Sequence, residues 1–321
     1  MSPESSSPTW TLNRRRFLSA ASLATIGLAA SSSLSHGHHQ TSAETSVLLS
    51  TESFLTLIAE DRPLRVIDAS PLRTYRSRHI PGAIHQFWQD TIDPNYPHFG
   101  AVLTQGFDQA QRIDWLSRLG INRDWNVVVY DDVYGQRASR IVWFLRFLGH
   151  ERASLYDPGL RGWRGAGLAT EKGVVTVDEN NSEFVHPQDG YYVVTRTLAD
   201  RFEAGGSQIV DVRAEAEKKI DHRGHLRLGT IPGSVNFPWT ALIDAAGDGL
   251  KDSGSIAELV KSVPLDPERE ILLFGLYGVD AALSWLVLKD LQFPVVRIYD
   301  RGWVEWASRP DLPVANLEAG T

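Results

Sequence analysis

The sequence predicts an α/β architecture of two tandem units, each a parallel sheet flanked by helices, and three observations carry that prediction. The first is a repeat. The stretch RVIDASPLRTYRSRHIPGAIHQF (Arg65–Phe87) is answered by Gln208–Trp239. Each is a short apolar strand ending in aspartate, then a polar stretch, then Ile-Pro-Gly before a second apolar strand. Asn126–Gly149 is answered by Glu270–Phe293, and Leu155–Gly165 by Ile298–Trp306. The offsets are 143 residues from Asp68 to Asp211, 144 from Asp131 to Gly275 and 140 from Trp163 to Trp303. Three motifs in one order at a nearly constant offset are the mark of an internal duplication. The second observation is alternation: apolar strands without a polar face are separated by amphipathic helices, the pattern of a parallel sheet covered on both sides. The third is length, since 321 residues make two units of about 150 each.

In chain order, residues 1–35 read as a leader. Arg14-Arg15-Arg16-Phe17 precedes a small-residue apolar run from Ala20 to Ala30. That arrangement resembles a twin-arginine export signal, and the run is too short to span a bilayer comfortably. It implies a periplasmic or other extracytoplasmic location without a stable membrane anchor. Residues 36–46 form a flexible linker. Within it, His36, His38 and His39 would hold copper or nickel only if cleavage freed the amine of His36, and a solvated tail is the simpler reading. The first unit spans 47–170, with helices expected over Phe107–Leu119 and Arg137–Leu148. A polar linker carrying Asn180-Asn181 covers 171–190. The second unit spans 191–321, with a buried strand at Ile271–Phe274 and a helix at Val279–Leu291.

Composition removes several classes of function. There is no cysteine, so no disulfide, thiolate nucleophile or thiolate metal site can form. The net charge is −7, and without residues 1–35 the remaining 29 basic and 38 acidic residues give −9. A chain so charged offers no counterion-release term for binding nucleic acid.

The chemistry concentrates in two loops. A strand that runs into a tight loop at a helix N-terminus builds a cradle of backbone N–H groups for an anion or an oxyanion. The residue opening such a loop is the natural place for a nucleophile, yet in the second unit it is Gly275, followed by Leu276, Tyr277, Gly278, Val279 and Asp280. In the first unit it is Asp131, followed by Asp132.

Together, Asp211 and Arg213, His79-Ile80-Pro81-Gly82-Ala83-Ile84, Ile231-Pro232-Gly233-Ser234-Val235-Asn236 and the Asp-(x)-Gly-Trp strand ends resemble the rhodanese family. The resemblance runs from about Val47 to the C-terminus. It implies two tandem rhodanese domains, each with a five-stranded parallel sheet, the first inactive and the second carrying an active loop, Cys-x-x-Gly-Val-x-Ala. The cysteine of that loop accepts a sulfane sulfur from thiosulfate or 3-mercaptopyruvate. Gly275–Ala281 keeps every fixed position of this pattern except the cysteine. Glycine has no atom to carry a persulfide. Leu276 and Tyr277 stand where polar or basic residues are usual in thiosulfate-users, and Glu217 follows Arg213 by four where a second cation is expected. No cysteine-dependent sulfur transfer is therefore expected.

Other candidates are weighed beside plainer readings. An acidic residue is usual in the inactive loop, so Asp131 and Asp132 read as structural, with an aspartyl nucleophile or a cation site as the alternative. His79, His222 and His225 precede the Ile-Pro-Gly turns and read as structural rather than as general bases. Trp88, Trp163, Trp239 and Trp303 read as core packing rather than a ligand platform, with lining of a pocket at the sheet's carboxyl edge as the alternative for Trp88 and Trp239. The binding residues expected are Asp211, Arg213, Tyr277 and Trp239, with the Gly275–Asp280 loop at the mouth of a pocket between the units. Three functions remain open: a binding or regulatory protein for a small sulfur-containing or anionic ligand or a protein partner, a sulfurtransferase by descent, and new chemistry at Asp131 and Asp132. No cofactor or resident metal is implied.

Overall fold

The computed structural model describes residues 46–60, 62–91, 109–180, 182, 186–219, 227–245 and 249–316. The leader, the His36–His39 tail, His222 and His225 lie outside them. Among the described residues, no helix is long and apolar enough to cross a membrane.

Both units are five-stranded sheets with every strand pair parallel. In the first, β1 (Leu48–Leu49), β2 (Leu64–Asp68), β3 (Ile84–His85), β4 (Asn126–Tyr130) and β5 (Ala153–Tyr156) lie in the order β1-β5-β4-β2-β3. In the second, β6 (Tyr192–Val193), β7 (Gln208–Asp211), β8 (Val235–Asn236), β9 (Ile271–Phe274) and β10 (Val296–Tyr299) lie as β6-β10-β9-β7-β8. Strands β4 and β9 sit centrally and are buried along their whole length, which is why their sequences show no alternation. In each sheet the aspartate ending β2 or β7 lies opposite the last residue of the central strand, Tyr130 or Phe274. The two loops therefore leave their sheets at the carboxyl edge, where open α/β folds bind ligands.

The helices following those loops, Gln136–Phe147 and Gly278–Asp290, pack on each other across the junction of the halves. Gly278 to Leu288 is buried without interruption, so this helix shows no polar face. Phe147 meets Tyr192 edge-on at 5.6 Å, Tyr191 leans on Trp285 at 4.9 Å, and one apolar core runs through both units. Beneath the loops the junction holds one buried ion pair, Arg140 Nη1 to Asp300 Oδ1 at 2.7 Å. Arg140 also donates from Nε to Thr91 Oγ1 at 3.2 Å and lies 4.6 Å over the Trp143 ring.

The Ile-Pro-Gly turns, His79 and the paired tryptophans each take a defined place. Gly82 and Gly233 of the two Ile-Pro-Gly turns have φ of 73° and 71°, the left-handed region that glycine enters without steric cost. His79 is fully buried, stacked on Tyr75 at 4.3 Å, with Nδ1 2.9 Å from the Tyr75 carbonyl. Its surroundings make it structural. Trp163 and Trp303 are buried in the two cores.

Candidate functional site

In the first unit, five residues separate Tyr130 from the helix that begins at Gln136, whereas in the second only three separate Phe274 from Gly278. The longer loop, with Tyr134 at φ 61° and Gly135 at φ 74°, wraps around the Asp131 side chain. Asp131 Oδ1 accepts from the N–H groups of Val133 (2.8 Å) and Gly135 (2.9 Å). Its Oδ2 accepts from Arg137 (2.9 Å) and Ala138 (3.0 Å). Burial outweighs the amide donors and leaves this carboxyl raised to about 6. The cradle thus holds an anion supplied by its own chain. Asp132 is bound as well, to Arg137 Nη1 at 3.0 Å and to Thr74 Oγ1 at 3.2 Å. Neither carboxylate is presented as a nucleophile, and among the described residues no group of three or more potential ligands could hold a metal ion. Asp131→Ala should strand four amides and cost at least about 2 kcal/mol, read as a lower urea midpoint. A midpoint equal to the parent's would show that the loop does not depend on this anion.

The second cradle is filled differently. A Cβ built on Gly275 would lie 2.7 Å from the Tyr277 carbonyl oxygen, 2.9 Å from Asp280 Cβ and 3.1 Å from Asp280 Oδ2. The space beside Gly275 is thus taken by the Tyr277 carbonyl and by Asp280, which turns back from the helix's first turn. Its carboxyl accepts from Gln136 Nε2 of the first unit at 2.5 Å and from the Leu276 N–H. Burial, reinforced by Glu217, pushes it up to about 7. Gly278 leaves as little room: a Cβ there would fall 2.1 Å from Asp300 Oδ1.

The remaining expected residues divide between loop face and interior. Glu217 accepts from Trp239 Nε1 at 3.2 Å and from the Ala214 N–H at 2.7 Å. Trp239 is half-buried, as is Tyr277. Burial, with the Asp280 charge second, raises the phenol of Tyr277. Arg213, expected at a pocket mouth, is instead inside the fold with no exposed surface. It donates to both oxygens of Asp211 (2.9 and 2.6 Å) and to the Gly229 carbonyl (2.8 Å), and lies 4.4 Å over the Trp303 ring. Asp211 and the Gly229 carbonyl take its Nε and Nη2, while its buried Nη1 has no hydrogen-bond partner among the described residues. Two described cavities, of about 660 and 710 Å³, open beside Ser46 and Arg152 at the amino ends of the strands, and Gly275–Asp280 lines neither. Gln136, Arg140 and Asp300 were not legible as part of this site, because their contacts cross between the halves.

This geometry agrees with what the chain is similar to. Residues 50–166 and 194–309 each match the model of the rhodanese-like domain. The chain belongs to the rhodanese family. Among relatives of this rhodanese-like chain, a 3-mercaptopyruvate sulfurtransferase of Escherichia coli is 32% identical over 271 residues, covering 79% of this chain and 93% of the relative. A thiosulfate sulfurtransferase of Pseudomonas aeruginosa is 28% identical, covering 78% and 90%. Among solved structures, that of a 3-mercaptopyruvate sulfotransferase from Escherichia coli aligns with a TM-score of 0.69 at 27% identity, covering 81% of this chain and 99% of that one. The Tum1 protein from Saccharomyces cerevisiae aligns at 0.74 and 21% identity, covering 84% and 97%. Against this background, Gly275 marks a rhodanese-like chain without a cysteine anywhere in its sequence.

Proposed function

We propose that this protein is an exported, non-catalytic member of the family, which transfers no sulfur through a cysteine and acts by binding a protein partner at its loop face. One observation carries the reading: the nucleophile's position is Gly275, and Asp280 occupies the space a reactive side chain would need. A thiolate accepts sulfane sulfur because it is a soft nucleophile, and a carboxyl held by Gln136 and Leu276 is no substitute. A small anionic ligand loses support, since Asp280 and Glu217 bring carboxyl groups to the loop and Arg213 is tied to Asp211. A protein partner, which needs no vacant cradle, fits better. Export rests on the leader motif alone.

The sulfurtransferases among the relatives supply the test. After incubation with thiosulfate or 3-mercaptopyruvate and desalting, the intact mass of the protein should be unchanged. A retained sulfur adduct would overturn the proposal.

A further inference from the structure

Asp280 is an unusual residue to build into this loop. It fills the volume beside Gly275, it ties the second unit to Gln136 of the first, and its carboxyl is almost wholly buried, with 7% of the residue exposed. We propose that Asp280 is a proton-controlled plug: protonated, it closes the Gly275 cradle and joins the two halves; ionised, it leaves for water and uncovers the loop. The inference rests on reading this loop as a binding surface and names how that surface is regulated.

The groups facing Asp280 set the sign. Glu217, on the short helix Glu215–Lys218, adds a like charge when Asp280 ionises. Tyr277, on the same loop, is a phenol raised first by burial and second by the Asp280 charge. Gln136 and the Leu276 N–H are neutral donors whose hydrogen bonds favour the ionised form, and burial outweighs them. Asp300, beneath Gly278, is already paired with Arg140. No cation among these favours the ionised form. In the closed loop the group titrates at about 7, against 3.8 for an ordinary aspartate. Below about pH 4 both closed and open forms hold the proton, so closure is at its strongest. Between there and about 7 only the open form has lost it, and the preference for closure declines as pH rises. Taking the open group at its ordinary value, the opening equilibrium should rise roughly tenfold between pH 6 and pH 8.

Amide hydrogen exchange on the full chain tests this, with rates in the peptide covering Leu276–Ala282 divided by the intrinsic rate at each pH. Protection should fall roughly tenfold from pH 6 to pH 8 in the parent. Asp280→Asn should hold one protection factor at both values, and Glu217→Gln, which removes the like charge that helps raise Asp280, should make the fall smaller and bring its end to lower pH. Flat protection in the parent, the same fall in Asp280→Asn, or an undiminished fall in Glu217→Gln would overturn the plug. If Asp280→Asn does not fold, the parent and Glu217→Gln decide between the outcomes. A sulfur adduct on the parent would refute the non-catalytic reading and leave this exchange result standing, so the two failures are distinguishable.

Discussion

Gly275→Cys on its own should yield a protein that is less stable than the parent and still unable to transfer sulfur. The new Cβ would meet the Tyr277 carbonyl at 2.7 Å and Asp280 Cβ at 2.9 Å, closer than unstrained contacts allow. The first of these is backbone, so the loop itself would have to move, an overpacking cost of about 1–3 kcal/mol. The thiol would also face the Asp280 carboxyl, whose charge Glu217 already disfavours, and no cation among the described residues is shown to favour a thiolate there. Adding Asp280→Ser removes the carboxylate, and the thiol should then ionise at lower pH. The pH dependence of alkylation by iodoacetamide measures this, beside a thiosulfate-to-cyanide assay of both variants. A single variant that turned over like an active sulfurtransferase would show that the cradle yields easily and that only the sulfur atom is missing.

The second large effect is expected at the junction of the halves. Arg140 has no exposed surface and its side chain is committed to Asp300 and Thr91. Arg140→Met keeps much of the side chain's volume but leaves Asp300 buried without its cation, which costs about 3–5 kcal/mol. For a chain of this size that is roughly a 10 °C fall in Tm. Adding Asp300→Asn removes the stranded charge and should recover most of the loss. A double variant no better than Arg140→Met would mean that Asp300 is not the group left unsatisfied.

Much of this was legible before any coordinates. The repeat located both sheets, the strand Ile271–Phe274 and the two junction helices to within a residue or so. The loop glycine and the missing cysteine are statements about residue type, which sequence supplies directly. Direction was not legible. The Asp-x-Arg spacing of Asp211 and Arg213 says that two charges lie near a strand end, but not that the guanidinium turns inward over Trp303. The sequence places Asp280 in the first turn of the helix expected from Val279, but does not say that its side chain folds back to Leu276 and Gly275. The extended loop that lets Asp131 gather four amides depends on Tyr134 in a left-handed conformation, which tyrosine seldom adopts. Gln136 and Asp280, 144 residues apart, meet only because two apolar helices pack across the junction.

Both loops thus keep the family's cradle and close it with a carboxyl group of the same chain, Asp131 in the first unit and Asp280 in the second. The most direct test is the rate at which the purified parent protein transfers sulfur from thiosulfate and from 3-mercaptopyruvate to cyanide. No turnover above the protein-free rate, with either donor and at any pH from 6 to 8, is the result predicted. Saturable turnover that Asp280→Ala or Glu217→Gln changes would place catalysis at this loop without a cysteine and contradict the account.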